Sequence, residues 1–145
     1  MKVKEIMSKQ VIGIDPEESV AAAARTLSRY NIGILPVMDQ KQRLQGLVTD
    51  RDLVIRCLAT GNDPKTTPVR KIMTGRIISV QPEMEVGVAA HLMAREQIRR
   101  LPVVQNGRLC GMVSLGDMAV REENYFDATD ALSGICSQIT DGCPW

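Results

Sequence analysis

The chain has 145 residues, a net charge of +1 and 3% aromatic residues. That is enough for one ordinary domain or two small repeats sharing a core, and it argues against a basic nucleic-acid stripe or a base-stacking platform. The four cysteines (Cys57, Cys110, Cys136, Cys143) form no CxxC pair and His91 is the only histidine, so no zinc site is expected.

The opening residues lack the apolar run of a signal peptide, and no apolar run approaches the ~18 residues of a membrane span. The expectation is a soluble protein in the reducing cytoplasm. Slid against itself by 66 positions, the chain repeats: Ile6-Met7-Ser8 falls on Ile72-Met73-Thr74, Pro16 on Pro82, Val20 on Val86, and Leu35-Pro36-Val37 on Leu101-Pro102-Val103. The offset then drops to 65, so Gly46, Thr49 and Asp52 meet Gly111, Ser114 and Asp117. A one-residue deletion in a turn explains the drop.

Each repeat opens with a short lead (Val3 to Met7; Val69 to Met73) and a brief strand (Val11 to Ile14; Ile77 to Val80), ended by Pro16 and Pro82. A helix follows, Ser19 to Tyr30 and Val86 to Gln97. Its apolar stripe is Val20, Ala23, Ala24 and Leu27 in one repeat, and Val86, Ala89, Ala90 and Met93 in the other. Strands Ile34 to Met38 and Leu101 to Gln105 then return through hairpins to Leu44 to Thr49 and Leu109 to Ser114. Asn106-Gly107 is a two-residue hairpin signal. A second helix starts at Asp50 and Leu115, the first copy running to about Leu58 or Ala59. Beyond the repeats, Asp127 to Ile139 reads as a helix with Ala128, Ala131, Leu132, Ile135 and Ile139 as its stripe.

The order is β-α-β-β-α twice. The fold class is α+β, two repeats packed about a pseudo-twofold axis with an extra C-terminal helix. The boundaries are 3–60 for the first repeat, 61–68 for the linker, 69–121 for the second repeat and 122–145 for the extension. One unit of ~55 residues would bury little apolar surface alone, so the two are expected to share a core.

Thr49 with Asp52, and Ser114 with Asp117, stand three apart at a strand-to-helix turn, where free N–H groups favour anions. One reading is a pair of ledges for a ribose and its phosphate. The same spacing is also that of a capping box, which needs no ligand.

These motifs, in this order and repeated, resemble the cystathionine β-synthase (CBS) domain pair from Val3 to about Val120. The resemblance implies a regulatory module that binds an adenosine-containing ligand, AMP, ADP, ATP or S-adenosylmethionine, and that dimerises. It places Thr49, Asp52, Ser114 and Asp117 on the sugar and phosphate. Arg99 and Arg100 are expected to reach phosphate, as guanidinium forks suit its oxygens. Arg51 is a candidate for phosphate or for a dimer partner; in the second repeat Gly116 replaces it. Ile12, Gly13 and Ile14, with Ile78, Ser79 and Val80, are expected to line an adenine cleft. No nucleophile with a nearby base and no P-loop pattern is readable, so an enzyme is not expected. A ligand-free dimerisation scaffold is the competing reading. A homodimer and an unnamed regulated protein are the implied partners.

Overall fold

The computed structural model describes residues 1–121 and 125–140. Two small antiparallel hairpins carry the strands. The first pairs β1 (Ile34–Met38) with β2 (Leu44–Thr49), and the second pairs β3 (Arg100–Gln105) with β4 (Arg108–Ser114). In the first, Ile34 stands opposite Thr49 and Val37 opposite Gly46, with a bulge between Val37 and Met38. The second turns through Asn106 (φ 53°) and Gly107 (φ 76°), the left-handed pair a two-residue hairpin demands.

Helix α1 (Val20–Tyr30) starts at Ser19, whose Oγ accepts the Ala22 N–H at 3.1 Å. It ends at Asn31 in the left-handed region. Helix α3 (Val86–Glu96) ends in the same way at Gln97. Helix α2 (Asp50–Asp52) continues as a π-helical segment, Leu53–Leu58. The wider turn leaves carbonyls at its end, and Thr60 Oγ1 caps those of Arg56 and Cys57 at 3.0 Å each. Helix α4 (Leu115–Ala119) is short, and α5 (Tyr125–Thr140) follows it.

The strands expected at Val11 to Ile14 and Ile77 to Val80 are reduced to single parallel bridges, Ile14 to Val37 and Val80 to Val103. Each segment makes one ladder step and then meets its proline. The lead-ins are one-turn 3-10 helices, Val3–Glu5 and Val69–Lys71.

Two compact units form, each with its own core. One comprises Met1–Gln10, Ile78–Asn106 and Cys110–Trp145; the other comprises Val11–Ile77 and Gly107–Leu109. Each unit therefore takes its lead-in from the opposite sequence repeat. Ser8 bridges to Met112, and Thr74 bridges to Leu47. This crossing explains the two strand glycines. A Cβ on Gly111 would stand 2.7 Å from Met7 Sδ and 3.0 Å from the Ser8 carbonyl; one on Gly46 would stand 2.7 Å from the Thr74 carbonyl.

The first core gathers Val3, Val80, Val86, Met93, Leu101, Val113 and Met118 with Ala128, Ala131 and Ile135 of α5. The second gathers Ile14, Val20, Leu27, Leu35, Val37, Val48, Val69 and Ile72. Helix α5 packs on α3 and α4. Two members of its expected stripe behave differently. Leu132 is 44% exposed, a correction to the stripe, and the Ile139 side chain lies outside the described residues, as does Cys143. Ala24 is also exposed, whereas its counterpart Ala90 is 2% exposed. The unit holding Ala90 has α5 laid over its helices, and the unit holding Ala24 has no such helix.

Candidate functional site

Both hydroxyl–carboxylate pairs form reciprocal capping boxes. Asp52 Oδ2 accepts the Thr49 N–H at 2.9 Å, and Thr49 Oγ1 accepts the Asp52 N–H at 3.1 Å. Asp117 Oδ2 accepts the Ser114 N–H and hydroxyl at 2.8 Å each, and Ser114 Oγ accepts the Asp117 N–H at 3.1 Å. The two carboxylates differ in what remains. Asp52 Oδ1 faces Arg56 Nε at 3.6 Å, and the Arg56 guanidinium also donates to the Ile72 carbonyl at 3.1 Å and to Thr74 Oγ1 at 3.2 Å. Asp117 Oδ1 carries no such bond among the described residues. The second ledge thus keeps an acceptor that the first has committed.

Beside Ser114 of the second ledge lies a cleft of about 640 Å³, lined by Arg99, Arg100, Ser114, Leu115 and Gly116 together with Ala128, Thr129 and Leu132 of α5. The volume suits a small ligand, since such sites span ~300–1,000 Å³. Both arginines are exposed at the start of β3. The Arg99 carbonyl accepts the Leu115 N–H at 3.0 Å, tying that strand end to the start of α4.

The other expected residues are placed as follows. Ile12, Gly13 and Ile14 line a separate cleft of about 620 Å³ against α1, with Glu18, Arg25 and Arg29. Thr49, Arg51 and Asp52 do not line it. Arg51 is exposed on α2. Val80 is 1% exposed and belongs to the core; Ile78 is partly buried against that core, and Ser79 is exposed. Neither these three nor Asp117 lines the cleft beside Arg100. Sequence reasoning missed Ala128, Thr129 and Leu132 as cleft residues. Their signal was the apolar stripe of the extension, and it did not show which side chains would line a cleft.

Among the described residues, no group of three or more His, Cys, Asp and Glu is placed to hold a metal ion, and no helix is long and apolar enough to cross a membrane. His91 is exposed. Cys110 is partly buried beside the Val103 carbonyl, and desolvation pushes its thiol up from the usual range.

Repeated hairpin-and-helix units, each ending in a hydroxyl–carboxylate cap, define the class: a tandem module of two small α+β repeats. The family model for the CBS domain matches residues 3–58 and again 69–122, and the chain belongs to that family, whose pairs are regulatory modules. It is 40% identical over 136 residues to the CBS domain-containing protein YhcV of Bacillus subtilis, covering 94% of this chain and 96% of that one. It is 34% identical over 116 residues to hypoxic response protein 1 of Mycobacterium tuberculosis, covering 80% of this chain and 81% of that one. The crystal structure of hypoxic response protein I with two coordinated zinc ions superposes with a TM-score of 0.78 at 33% identity, over 83% of this chain and 98% of that one. The CBS domain pair of protein MJ0100, solved with 5-methylthioadenosine and S-adenosyl-L-methionine, gives 0.74 at 30% identity, over 83% of this chain and 94% of that one.

Proposed function

We propose that this chain is a non-catalytic sensor of an adenosine-containing ligand (AMP, ADP, ATP or S-adenosylmethionine) and passes occupancy to a partner protein. The observation that carries this reading is the cleft beside Arg99, Arg100 and Ser114. Two exposed guanidinium forks line it and would take phosphate or carboxylate oxygens. Asp117 does not line the cleft itself but is bonded to Ser114, which does, and its Oδ1, without a hydrogen bond among the described residues, would accept a ribose hydroxyl. In the first repeat Ile12, Gly13 and Ile14 would meet a base in their own cleft, and Thr49, Asp52 and Arg51, which do not line that cleft, would serve a sugar and phosphate only outside it. The ligand of the MJ0100 pair, an adenosyl compound, supports the ligand class.

Signalling in this scheme is differential affinity for two arrangements of the protein, because a ligand shifts populations only by that difference. Repeat limits at 3–60 and 69–121, with linker 61–68 and extension 122–145, a cytoplasmic setting and a homodimer belong to the same reading. A thermal-shift panel on ligand-stripped protein tests it. A compound at 100 times its dissociation constant should add ~2.7 kcal/mol to stability, and no shift with any of the four overturns the sensor.

One observation favours the scaffold alternative. Each hydroxyl–carboxylate pair closes its own capping box with no ligand present, while Val54, Ile55 and Leu58 lie about half exposed on one stretch. An unchanged melting temperature together with a dimeric mass supports it.

A further inference from the structure

Helix α5 lies beyond the segment that matches the family, yet it supplies one wall of the cleft on which the sensor reading rests. Its attachment is specific. Ala128, Ala131 and Ile135 are buried against α3 and α4. Gln97 Nε2, at the left-handed end of α3, donates to the Ala94 carbonyl at 2.7 Å and to the Gly134 carbonyl of α5 at 3.3 Å. The helices approach closely at small residues. A Cβ on Gly87 would lie 3.3 Å from Asp127 Oδ2, and one on Gly134 would lie 3.7 Å from Ala94 Cβ.

Of the three α5 residues that line the cleft, Ala128 and Leu132 are apolar and Thr129 carries a hydroxyl. Leu132 is 44% exposed beside a rim carrying two arginines. An apolar side chain left open in the same cleft as two guanidinium groups suits a ligand with an anionic end and an apolar end. The cleft is roomy with α5 already docked, so a ligand entering it gains contact with α5 and has no need to displace the helix.

We propose that α5 completes the second-repeat site and reports its occupancy: Leu132 and Ala128 cover the apolar part of a ligand whose anionic end lies on Arg99 and Arg100. Ligand binding and α5 docking are then one coupled equilibrium, and the coupling is reciprocal. The ligand favours the docked helix, and anything that holds α5 down tightens the ligand. The first repeat has no counterpart of α5, so the coupling belongs to the second site alone. This inference depends on the sensor reading.

The test is hydrogen exchange of the 125–140 amides in the full chain, with and without saturating AMP, ATP or S-adenosylmethionine, together with affinities of Leu132→Ala and Val88→Ala. Val88 is 54% exposed on α3 and does not line the cleft. The expected result is at least threefold slower exchange in α5 on binding. Leu132→Ala should weaken binding about fivefold, as loss of partly buried apolar area predicts. Its melting temperature without ligand should match that of the parent, and Val88→Ala should bind normally. A compound that binds, and that loses affinity in Arg100→Ala, but leaves α5 exchange and the Leu132→Ala affinity unchanged, overturns this inference and leaves the sensor standing. Failure of all three compounds to bind overturns both.

Discussion

Replacing Gly46 with alanine tests why glycine occupies that strand position. The added Cβ would stand 2.7 Å from the Thr74 carbonyl oxygen and 2.9 Å from Met73 Sδ, where ordinary contact begins near 3.4 Å. The methionine can swing aside. The carbonyl cannot, because Thr74 is clamped to Leu47 by two backbone hydrogen bonds of 3.0 and 2.8 Å. Overpacking of this kind costs ~1–3 kcal/mol, and losing one of the two bonds adds ~1 kcal/mol. The expected loss is therefore about 2–4 kcal/mol, or roughly 6–12 °C in melting temperature for a chain of this size. Gly75→Ala is the control, one residue from Thr74, where a Cβ meets nothing within 4 Å. Urea and thermal unfolding of both variants give the answer. Equal stability of Gly46→Ala and Gly75→Ala would refute the crossing of the lead-in against the strand. Gly111→Ala should lose less, since its 2.7 Å neighbour is a flexible sulfur.

Asp117→Ala should lower stability by ~1 kcal/mol through its cap and abolish one ligand-binding event, read by urea unfolding and titration; a fully unfolded variant would reduce Asp117 to a structural cap. Asp39 accepts the Arg43 N–H at 2.9 Å and the Lys41 N–H at 2.8 Å, and these bonds hold its carboxyl below the usual range. A depressed folded value means the turn's contribution is complete above the unfolded value of about 3.9 and is lost as pH falls through the lower folded one. Asp39→Asn should therefore melt lower than the parent at pH 7, with the gap closing below about pH 4. Ile55→Glu places a charge among half-exposed apolar residues and should turn a homodimer into a monomer by light scattering; an unchanged dimeric mass would put the interface elsewhere.

Much of the architecture was legible because the chain states it twice. The hairpins, both caps and the helix starts follow from local signals: Asn106-Gly107, the hydroxyl–x–x–acid spacing and the three-and-four stripe. The exchange of lead-ins was hidden, since the motif Met-Ser or Met-Thr says nothing about which glycine it will cross. Ala24 and Ala90 occupy one position of one periodic stripe, yet only Ala90 is buried, because α5 covers one unit and the stripe cannot show which. Of the expected site residues, Arg99, Arg100 and Ser114 share a cleft. Val80 is drawn into the core by its bridge to Val103, a tertiary pairing that a short apolar run does not announce. The unequal commitment of Asp52 and Asp117 is not written in the spacing, since each has an arginine four residues on, Arg56 and Arg121, and among the described residues only Arg56 is paired with its aspartate.

Calorimetric titration of ligand-stripped protein with AMP, ADP, ATP and S-adenosylmethionine, repeated on Arg100→Ala, tests the sensor most directly. The account predicts saturable binding of at least one compound, weakened tenfold or more by Arg100→Ala, as loss of a charge-assisted bond of ~1.5–3 kcal/mol requires. Absence of binding by all four, or binding that Arg100→Ala leaves untouched, would contradict it.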